Sequence, residues 1–441
     1  VGDALNPYII DRNIKYVMSL GYFKEVWTTV EKKSGKKSLI FHVKEHAKLN
    51  TVRFEGNTVY DTETLSALVS SKAKKVYNVD YLREDVRALK KKYHQNGYFM
   101  TKIFIESPET TGELVFRIIE GQLDEIILTG NAKTLDYVIL REMRLFPGDV
   151  LNQNILKEDI RRIYNLNYFT GINPRFEEGT SLNRKKLILD IEERATNGTI
   201  SIGGAYSANY GLSFFSDIFW DNVFGTGQLF MIKGQFGRVS SYQVKYHNPW
   251  MWDKRKSLTT RIWNTRGLIG TQGLFGNLNA QNEHRWGGDA TIGLPLNYYM
   301  KTSHRLKYER VYLPDTEKTY DINSYQFIFS DDTRDIWFSP SEGYYYQISL
   351  EKGFKLRHYS WEFMKYNIDS RYFIKTFHKQ TIASRLVLGY IQTNESDENV
   401  LNSQWYRVGG GDSVRGYHDQ YPVAYGNKQV LASIEYRFLF T

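Results

Sequence analysis

The second half of the chain, residues 196–441, consists of about a dozen segments in which polar and apolar side chains alternate. In one segment the apolar face carries Tyr344, Tyr346, Ile348 and Leu350. Because successive side chains of a strand point to opposite faces, the pattern predicts half-buried strands. Segments of about ten residues match the length of a strand that crosses a membrane. In lipid only a closed barrel satisfies the main chain of strands, so we expect a transmembrane antiparallel β-barrel.

The composition agrees with this prediction. The 441 residues include 33 Tyr, 25 Phe and 9 Trp, as expected where aromatic girdles mark two membrane interfaces, although a Tyr-rich soluble β-sandwich is an alternative. The chain has no cysteine, which excludes disulfides and thiolate metal sites. Its net charge of +9 is spread without a basic block, which argues against nucleic acid as a partner. No export leader is visible, and we expect any such signal to have been removed.

Turn residues divide this half into twelve predicted strands. The strands cover residues 199–208, 211–220, 227–237, 241–248, 256–265, 285–294, 303–313, 320–331, 342–353, 360–373, 380–392 and 428–440. If the first strand runs outward, turns after even-numbered strands lie on the inner side and should be short. Four turns fall there, at residues 221–228, 248–256, 294–302 and 332–343. The loop 392–427 falls on the outer side, and loops of that length are usually functional or disordered.

The first 195 residues carry an internal repeat. Gly21, Gly97 and Asn167 each precede a Tyr-Phe pair that closes a helical pattern. Self-similarity at a period of about 70 to 76 residues indicates a modular array. Modules 48–120 and 121–195 each predict the order strand, helix, helix, strand, strand. The partial module 1–47 has only a helix and two strands, so we expect the chain to start inside a module.

Short motifs mark the turns and the outer loop. They comprise DNVFGTGQ with Asp221, Asn222, Gly225 and Gly227; YHNPW at 246–250; DTRD with Asp332, Arg334 and Asp335, followed by Gly343; and VRGY, which is Val414, Arg415, Gly416 and Tyr417. Asp and Thr commonly bond to local main chain in turns, so we expect the DTRD turn to shape the rim of the barrel rather than to perform chemistry. The alternative for the VRGY loop is a solvated hairpin loop with an incidental arginine.

In their order and in their side of the barrel, these motifs resemble those of the BamA-type outer-membrane assembly family. The modules resemble POTRA domains, which are the periplasmic repeats of that family. The resemblance covers essentially the whole chain, although the family usually has Asp where His247 or Asn248 stands. It implies α+β POTRA-like modules followed by an all-β barrel in the outer membrane of a Gram-negative-type bacterium. The family barrel has sixteen strands and twelve are visible here. Either about four C-terminal strands are absent or the barrel has twelve.

The resemblance also implies a function and partners. The function is insertion of β-barrel proteins into the outer membrane. The partners are unfolded barrel clients, periplasmic chaperones, accessory assembly lipoproteins and outer-membrane lipid. POTRA edge strands would receive clients by β-augmentation, unless the modules are plain spacers. The first barrel strand would pair weakly with the last and open laterally, because glycine weakens a strand. That strand contains Ile200, Ile202, Gly203, Gly204 and Tyr206. A TamA-like protein and a two-partner-secretion transporter that passes an extended polypeptide are the alternatives; a passive porin would leave the modules unexplained.

In the family the motif arginine folds into the barrel and pairs with acidic residues on the wall. A buried guanidinium needs a carboxylate partner, preferably a bidentate one. The family's acidic partners lie on strands after the loop, and one strand follows it here. Its polar face offers Glu435 as the nearest substitute partner for Arg415.

Motifs of enzymatic chemistry are missing from the sequence. It contains no GxSxG, no P-loop and no HExxH, and its 9 His residues are scattered. We therefore expect no enzyme, no cofactor and no metal site.

Overall fold

The computed structural model describes most of the chain. The described residues are 6–33, 36–181, 183–196, 198–207, 211–237, 239–252, 254–269, 281–357, 360–377, 380–394, 404–409, 413–415 and 424–438. The chain forms two compact units. The first comprises Val1–Gly130, Leu140–Ile163 and Gly171–Ile191, and the second comprises Asn131–Ile139, Tyr164–Thr170 and Glu192–Thr441. Among the described residues, no helix has the length and apolar character needed to cross a membrane.

The modules contain five helices and eight strands in the described residues. The partial module has α1 (Pro7–Met18), β1 (Phe23–Lys33) and β2 (Lys36–Glu45). The second has β3 (Thr51–Glu55), α2 (Thr62–Leu68), α3 (Val79–Gln95), β4 (Lys102–Glu106) and β5 (Glu113–Ile119). The third has β6 (Gln122–Thr129), α4 (Asp136–Leu140), α5 (Gln153–Asn165), β7 (Phe169–Glu178) and β8 (Arg184–Glu193). The predicted order of elements in both complete modules is therefore the order observed.

Each complete module folds around a three-stranded sheet with the last strand in the middle. The sheet orders are β3-β5-β4 and β6-β8-β7, and the β3–β5 and β6–β8 pairs are parallel. In the second module, Leu65 of α2 and Leu89 of α3 pack on Leu114 and Phe116 of β5, and all four side chains are fully buried. The Asp61 side chain caps helix α2, since it accepts from the Thr64 N–H at 2.7 Å.

Buried carboxylates recur at the same place in both modules. Asp85 accepts the N–H groups of Ser70 and Ser71, and Asp159 accepts those of Arg144 and Leu145. These carboxylates lie on α3 and α5, and they satisfy the main chain of the loop that precedes each helix. Buried N–H groups without an acceptor are costly, so the repeat conserves this acceptor within the chain.

Adjacent modules in the first unit meet at a joint that occurs twice, and we call it the Asn–Gly joint. The Asn78 side chain caps α3, and its Nδ2 donates to the Leu20 carbonyl at 2.6 Å. The Val79 N–H donates to the carbonyl of Gly21, which has φ 76°. A Cβ on Gly21 would lie 2.5 Å from Asn78 Oδ1, so a side chain there would displace the Asn78 cap.

The second copy of the joint uses the same atoms. Asn152 Nδ2 donates to the Asn96 carbonyl at 2.9 Å, and the Gln153 N–H donates to the Gly97 carbonyl at 2.8 Å. Gly97 has φ 91°, and a Cβ there would lie 2.5 Å from Asn152 Oδ1. The two joints thus fix each module by the end of one helix and the start of the next.

Twelve strands form one antiparallel sheet in the second unit. They are β9 (Gly198–Ser207), β10 (Gly211–Trp220), β11 (Leu229–Phe236), β12 (Ser240–Met251), β13 (Lys256–Ile269), β14 (Gln281–Pro295), β15 (Met300–Leu313), β16 (Lys318–Asp332), β17 (Gly343–Phe354), β18 (Phe363–Lys375), β19 (Gln380–Thr393) and β22 (Lys428–Phe438). Each strand pairs with its neighbour in the chain, and the small hairpin of β20 (Tyr406–Val408) and β21 (Ala424–Gly426) lies in the loop before β22. This is the all-β antiparallel architecture predicted for the barrel, and β9 and β22 are the edges of its sheet within the described residues.

The register assigns the two faces of the sheet. Ile348 pairs with Ile368, and both are exposed on the outer face. Their neighbours Ser349 and Asn367 pair on the inner face, where Ser349 is buried. The alternation therefore separates a lipid-facing apolar surface from a polar inner wall.

Several strand limits differ from those predicted. Residues 248–250 were expected in a turn but belong to β12. Pro249 is tolerated because the ladder to β13 ends at Asn248 and Leu258, so its missing N–H costs no ladder bond. Strand β7 begins at Phe169, and its Gly171 and Pro174, which look like turn residues in the sequence, lie in an edge strand.

Candidate functional site

The outer loop between β19 and β22 returns to the sheet before its last strand begins. Its ends are closed by the Ile391 N–H, which donates to the Asn427 carbonyl at 2.8 Å. Of the VRGY motif, Val414 and Arg415 are described, whereas Gly416 and Tyr417 lie outside the described residues. Ser413 braces the turn before the motif, since its hydroxyl accepts from the Gly409 N–H at 2.7 Å.

The structure places Arg415 beside Glu435. Arg415 Nη2 lies 2.5 Å from Glu435 Oε1, and Arg437 contacts the other oxygen of the same carboxylate. Glu435 is the partner that the sequence offered for Arg415, but the Arg415 side chain is 72% exposed and makes a single contact with the carboxylate rather than a buried, bidentate one. An exposed ion pair of this kind contributes only about 0–1 kcal/mol.

A contact that the sequence did not reveal lies nearer the start of the loop. The ring of Tyr406 covers Gly389 on the inner face of β19, and its hydroxyl bonds to Asn367 of β18. Trp405 and Tyr406 also pack against an apolar cluster at the outer ends of the strands. The signal in the sequence is the adjacent aromatic pair Trp405 and Tyr406 within a long loop.

The turn between β10 and β11 holds a segment of the third module that belongs to the second unit. Asn222 adopts a left-handed conformation, and its Oδ1 accepts from the Gly227 N–H at 2.7 Å. Its Nδ2 donates to Thr134 Oγ1 at 2.8 Å. The Gly225 carbonyl accepts from the Leu135 N–H at 3.1 Å.

Glycine is required in this turn for close approach. Gly225 has φ 75°, and a Cβ there would lie 2.2 Å from the Lys133 carbonyl. Gly227, with φ 74°, offers its carbonyl to the Tyr168 hydroxyl at 3.3 Å. The turn therefore contacts two segments of the third module, the main chain at Lys133 and the side chain of Tyr168.

The DTRD turn closes on itself. Arg334 makes a bidentate contact with Asp332 at 2.7 and 2.8 Å and lies over the Tyr345 ring. Asp335 accepts from the Ser341 N–H at 2.9 Å and from the Ser341 hydroxyl. Gly343 has φ 99°, and a Cβ there would lie 2.5 Å from the Thr333 carbonyl.

This turn also contacts the segment 164–170, which again belongs to the second unit. The Trp337 indole N–H donates to the Asn165 carbonyl at 2.6 Å. Asn165 Nδ2 donates to the Asp335 carbonyl at 3.1 Å, and Tyr164 packs near Phe338. Both motif turns thus face module segments, which places them on one side of the barrel.

Two carboxyl groups in these turns have altered pKa values. Burial alone would raise the pKa of Asp335, but hydrogen bonds from Ser341, Ile336 and Glu342 together lower it. At Asp221 burial dominates and raises the pKa, although Arg194 and Lys245 oppose the change. The Asp335 carboxylate is therefore a stabilised anion at neutral pH.

Strand β9 is one edge of the twelve-stranded sheet and β22 is the other. Within the described residues the two strands do not pair with each other. Ile200, Ile202 and Tyr206 on β9 are highly exposed, as are Val430 and Ile434 on β22. In the part of the chain that the structure describes, the outer edge of β9 therefore has main-chain donors and acceptors that pair with no strand.

The two glycines of β9 have different surroundings. A Cβ on Gly203 would lie 2.2 Å from the ring of Phe215, whereas one on Gly204 would make an ordinary contact at 3.5 Å. Strand β9 pairs with β10 in unbroken register along its length. Gly203 therefore accommodates a cross-strand aromatic ring.

No group of three or more potential metal ligands occurs in the part of the chain that the structure describes. The candidate site consists of the β9 edge, the outer loop and the two motif turns.

The protein combines α+β modules with an antiparallel barrel, and this combination defines a class of modular membrane β-barrel proteins. The model of the Omp85 superfamily domain matches residues 222–441, and the POTRA model, described as a surface antigen variable number repeat, matches 47–121 and 122–194. The chain belongs to the Omp85 superfamily and is of the BamA type. It is an outer-membrane protein with its POTRA modules in the periplasm.

Individual relatives extend the comparison. Outer membrane protein assembly factor BamA of Nitratidesulfovibrio vulgaris is 22% identical over 86% of this chain and 50% of its own length. BamA of Buchnera aphidicola is 23% identical over 74% of this chain and 54% of its own. The chain thus spans about half the length of these relatives. CdiB from Escherichia coli is similar in structure, with a TM-score of 0.61 and 15% identity over 100% of this chain and 86% of that one, and this likeness shows the fold alone.

Proposed function

We propose that this protein inserts β-barrel proteins into the outer membrane. The observation that carries the proposal is the β9 edge, which pairs with no other described strand and lies at one end of a lipid-facing sheet. An unpaired edge is a template for another strand, and a client hairpin that added to it would enter the membrane with its main chain already bonded.

The modules supply the other half of the proposal. Strands β3 and β4 are the edges of one module sheet, and β6 and β7 are the edges of the next. An extended client segment would add to such an edge by β-augmentation, with accessory lipoproteins and chaperones delivering it. The names of the BamA relatives, which are outer membrane protein assembly factors, support this function. It requires strand pairing and no enzymatic step.

Photo-crosslinking to a client tests the proposal directly. A benzophenone amino acid at Ile202, an exposed position of β9, should capture an unfolded outer-membrane barrel during its insertion into vesicles. The control is the same substitution at Leu306, which is exposed on the outer face of β15 in the middle of the sheet. Client folding should be faster with the protein than without it.

Two outcomes would overturn the proposal. Equal crosslinking at the two positions would show that β9 is not a template. No acceleration of client folding, together with a large single-channel conductance, would instead indicate the two-partner-secretion type of transporter.

A further inference from the structure

We propose that Tyr406 is the anchor that fixes the base of the outer loop to the inner wall of the barrel, in a notch that exists because residue 389 is glycine. The notch is defined by Gly389, Asn367 and Lys365. The proposal concerns the loop alone and does not rest on the proposed function.

The fit of the ring into the notch is the first observation. A Cβ on Gly389 would lie 2.6 Å from Tyr406 Cζ and 2.9 Å from the two Cε atoms. A Cβ does not approach a ring so closely, so the ring and a side chain at 389 exclude each other. Gly389 lies within a regular ladder between Asn367 and Gln429, so the close approach of the ring is the reason for a glycine here.

The polar contacts of the ring are the second observation. The Tyr406 hydroxyl lies 3.1 Å from the Tyr366 carbonyl and bonds to Asn367 Oδ1. Lys365 Nζ lies 4.6 Å from the ring centroid, which is a cation–π distance. The notch therefore contacts three parts of the tyrosine: Lys365 lies over the ring face, Gly389 lies against the ring carbons and Asn367 bonds to the hydroxyl.

Apolar packing next to the notch is the third observation. Trp405 and Tyr406 pack on a cluster whose members are almost completely buried: Val311, Leu313, Ile322, Trp361, Phe363 and Ile391. Two other inner-wall glycines are also covered by rings, Gly203 by Phe215 and Gly353 by Phe363, but those rings come from neighbouring strands. At Gly389 the ring comes from the loop, so this contact alone of the three ties the loop to the wall.

The anchor is separate from the Arg415–Glu435 pair. Arg415 is exposed and its ion pair is open to water, whereas Tyr406 is half-buried and its notch is lined by three wall residues. Residue 406 also begins the hairpin of β20 and β21, which leads to the rest of the loop. We therefore expect loss of Arg415 to free the tip of the loop while its base stays in place.

Spin labelling separates the two contacts. Because the chain has no cysteine, Gln404→Cys and Val414→Cys each give one labelled site, next to Tyr406 and next to Arg415. The protein is reconstituted in lipid vesicles and its spectra are recorded with Tyr406→Ala, Tyr406→Phe, Gly389→Val or Arg415→Ala. Gly234→Ala is the control, because a Cβ there meets only ordinary contacts from 3.5 Å.

The expected result is a shift of the label at 404 from an immobile to a mobile spectrum in Tyr406→Ala and in Gly389→Val. Tyr406→Phe keeps the ring in the notch and should leave the label immobile, and Arg415→Ala should mobilise only the label at 414. An immobile label at 404 in Gly389→Val would overturn the proposal, and so would equal mobilisation of both labels by Arg415→Ala. Client folding takes no part in this readout.

Discussion

At the scale of single residues, exposure decides what the motif side chains contribute. Arg415 and Asp335 both belong to motifs of the BamA-type family, and both take part in charged hydrogen bonds. The ion pair of Arg415 is exposed to water, so it contributes little to stability. Asp335 bonds to main-chain and side-chain donors within a closed turn, and such bonds are worth more.

Asp335→Asn should destabilise the protein at neutral pH and not at low pH. The pKa of Asp335 is lowered on folding, so its stabilisation is fully present above the unfolded value of about 3.9 and is lost as the pH falls through the folded value. We expect a loss of about 1–2 kcal/mol at pH 7. Heat-modifiable gel mobility, measured in vesicles at pH 7 and below about pH 3, checks this.

The control for that change lies in the same turn. Glu342 is exposed, so Glu342→Gln should alter stability little at either pH. A loss for Asp335→Asn that is the same at both pH values would contradict the prediction, because it would point to the shape of the side chain and not to its charge.

At the scale of elements, helix α3 connects the second module to both of its neighbours. Its first residue follows Asn78, which bonds to the preceding module, and its end leads to Gly97, which receives Asn152 of the following one. Ring contacts lie beside both joints, between Tyr22 and Tyr81 and between Phe99 and Phe176. The angle between modules is therefore held by hydrogen bonds, by close approach at glycine and by aromatic packing.

Gly97→Ala should loosen the second and third modules from each other. The change adds a strained left-handed alanine, costing about 1–2 kcal/mol, and a clash with Asn152. Nitroxide labels on Lys90→Cys and Lys157→Cys, both exposed, report the distance between α3 and α5. We expect pulsed electron paramagnetic resonance to record a broader distribution of the distance between the two labels in Gly97→Ala than in the unchanged protein.

Gly148→Ala is the matched control for the joint. Gly148 has φ 100° and no neighbour within 4 Å of a Cβ, so alanine brings the strain without the clash. In Gly148→Ala the distribution of the distance between the two labels should stay as narrow as in the unchanged protein. If both variants broaden equally, backbone strain and not the joint sets the angle.

At the scale of the whole molecule, the sheet has two free edges within the described residues. Their exposed side chains, such as Ile202 at 81% and Ile434 at 82%, belong to the outer face. A template mechanism needs at least one of these edges to stay accessible.

Linking β9 to β22 should abolish client insertion. A flexible bismaleimide between Ile202→Cys and Ile434→Cys is suitable, because a disulfide would demand a Cα separation below about 7 Å. The control is the pair Ile348→Cys and Ile368→Cys, which face each other in the ladder and are already fixed. Unchanged client folding after the first linkage would refute the lateral-opening mechanism.

The sequence predicted those features of the fold that depend on the local pattern of polar and apolar residues. Alternation revealed the twelve strands, and the repeat revealed the order of elements in the modules. It missed the extent of β13, which runs to Ile269, because the alternation fades at Gly267 while the ladder to β14 continues. The exposure of Arg415 and the notch at Gly389 were not predictable, since they depend on the path of a long loop across strands distant in sequence.

Helix α3 has a consequence for how such arrays lengthen. A stretch of chain that runs from Asn78 to Gly97 contains both complementary halves of a connection, one at each end. A duplicated module that contains this stretch would carry an asparagine for the preceding module and a glycine for the following one. It would therefore need no compensating change in its neighbours. Reach into the periplasm could then increase in whole steps through tandem duplication, with the terminal copy, where Asn167 takes the place of glycine, adapted separately to the barrel.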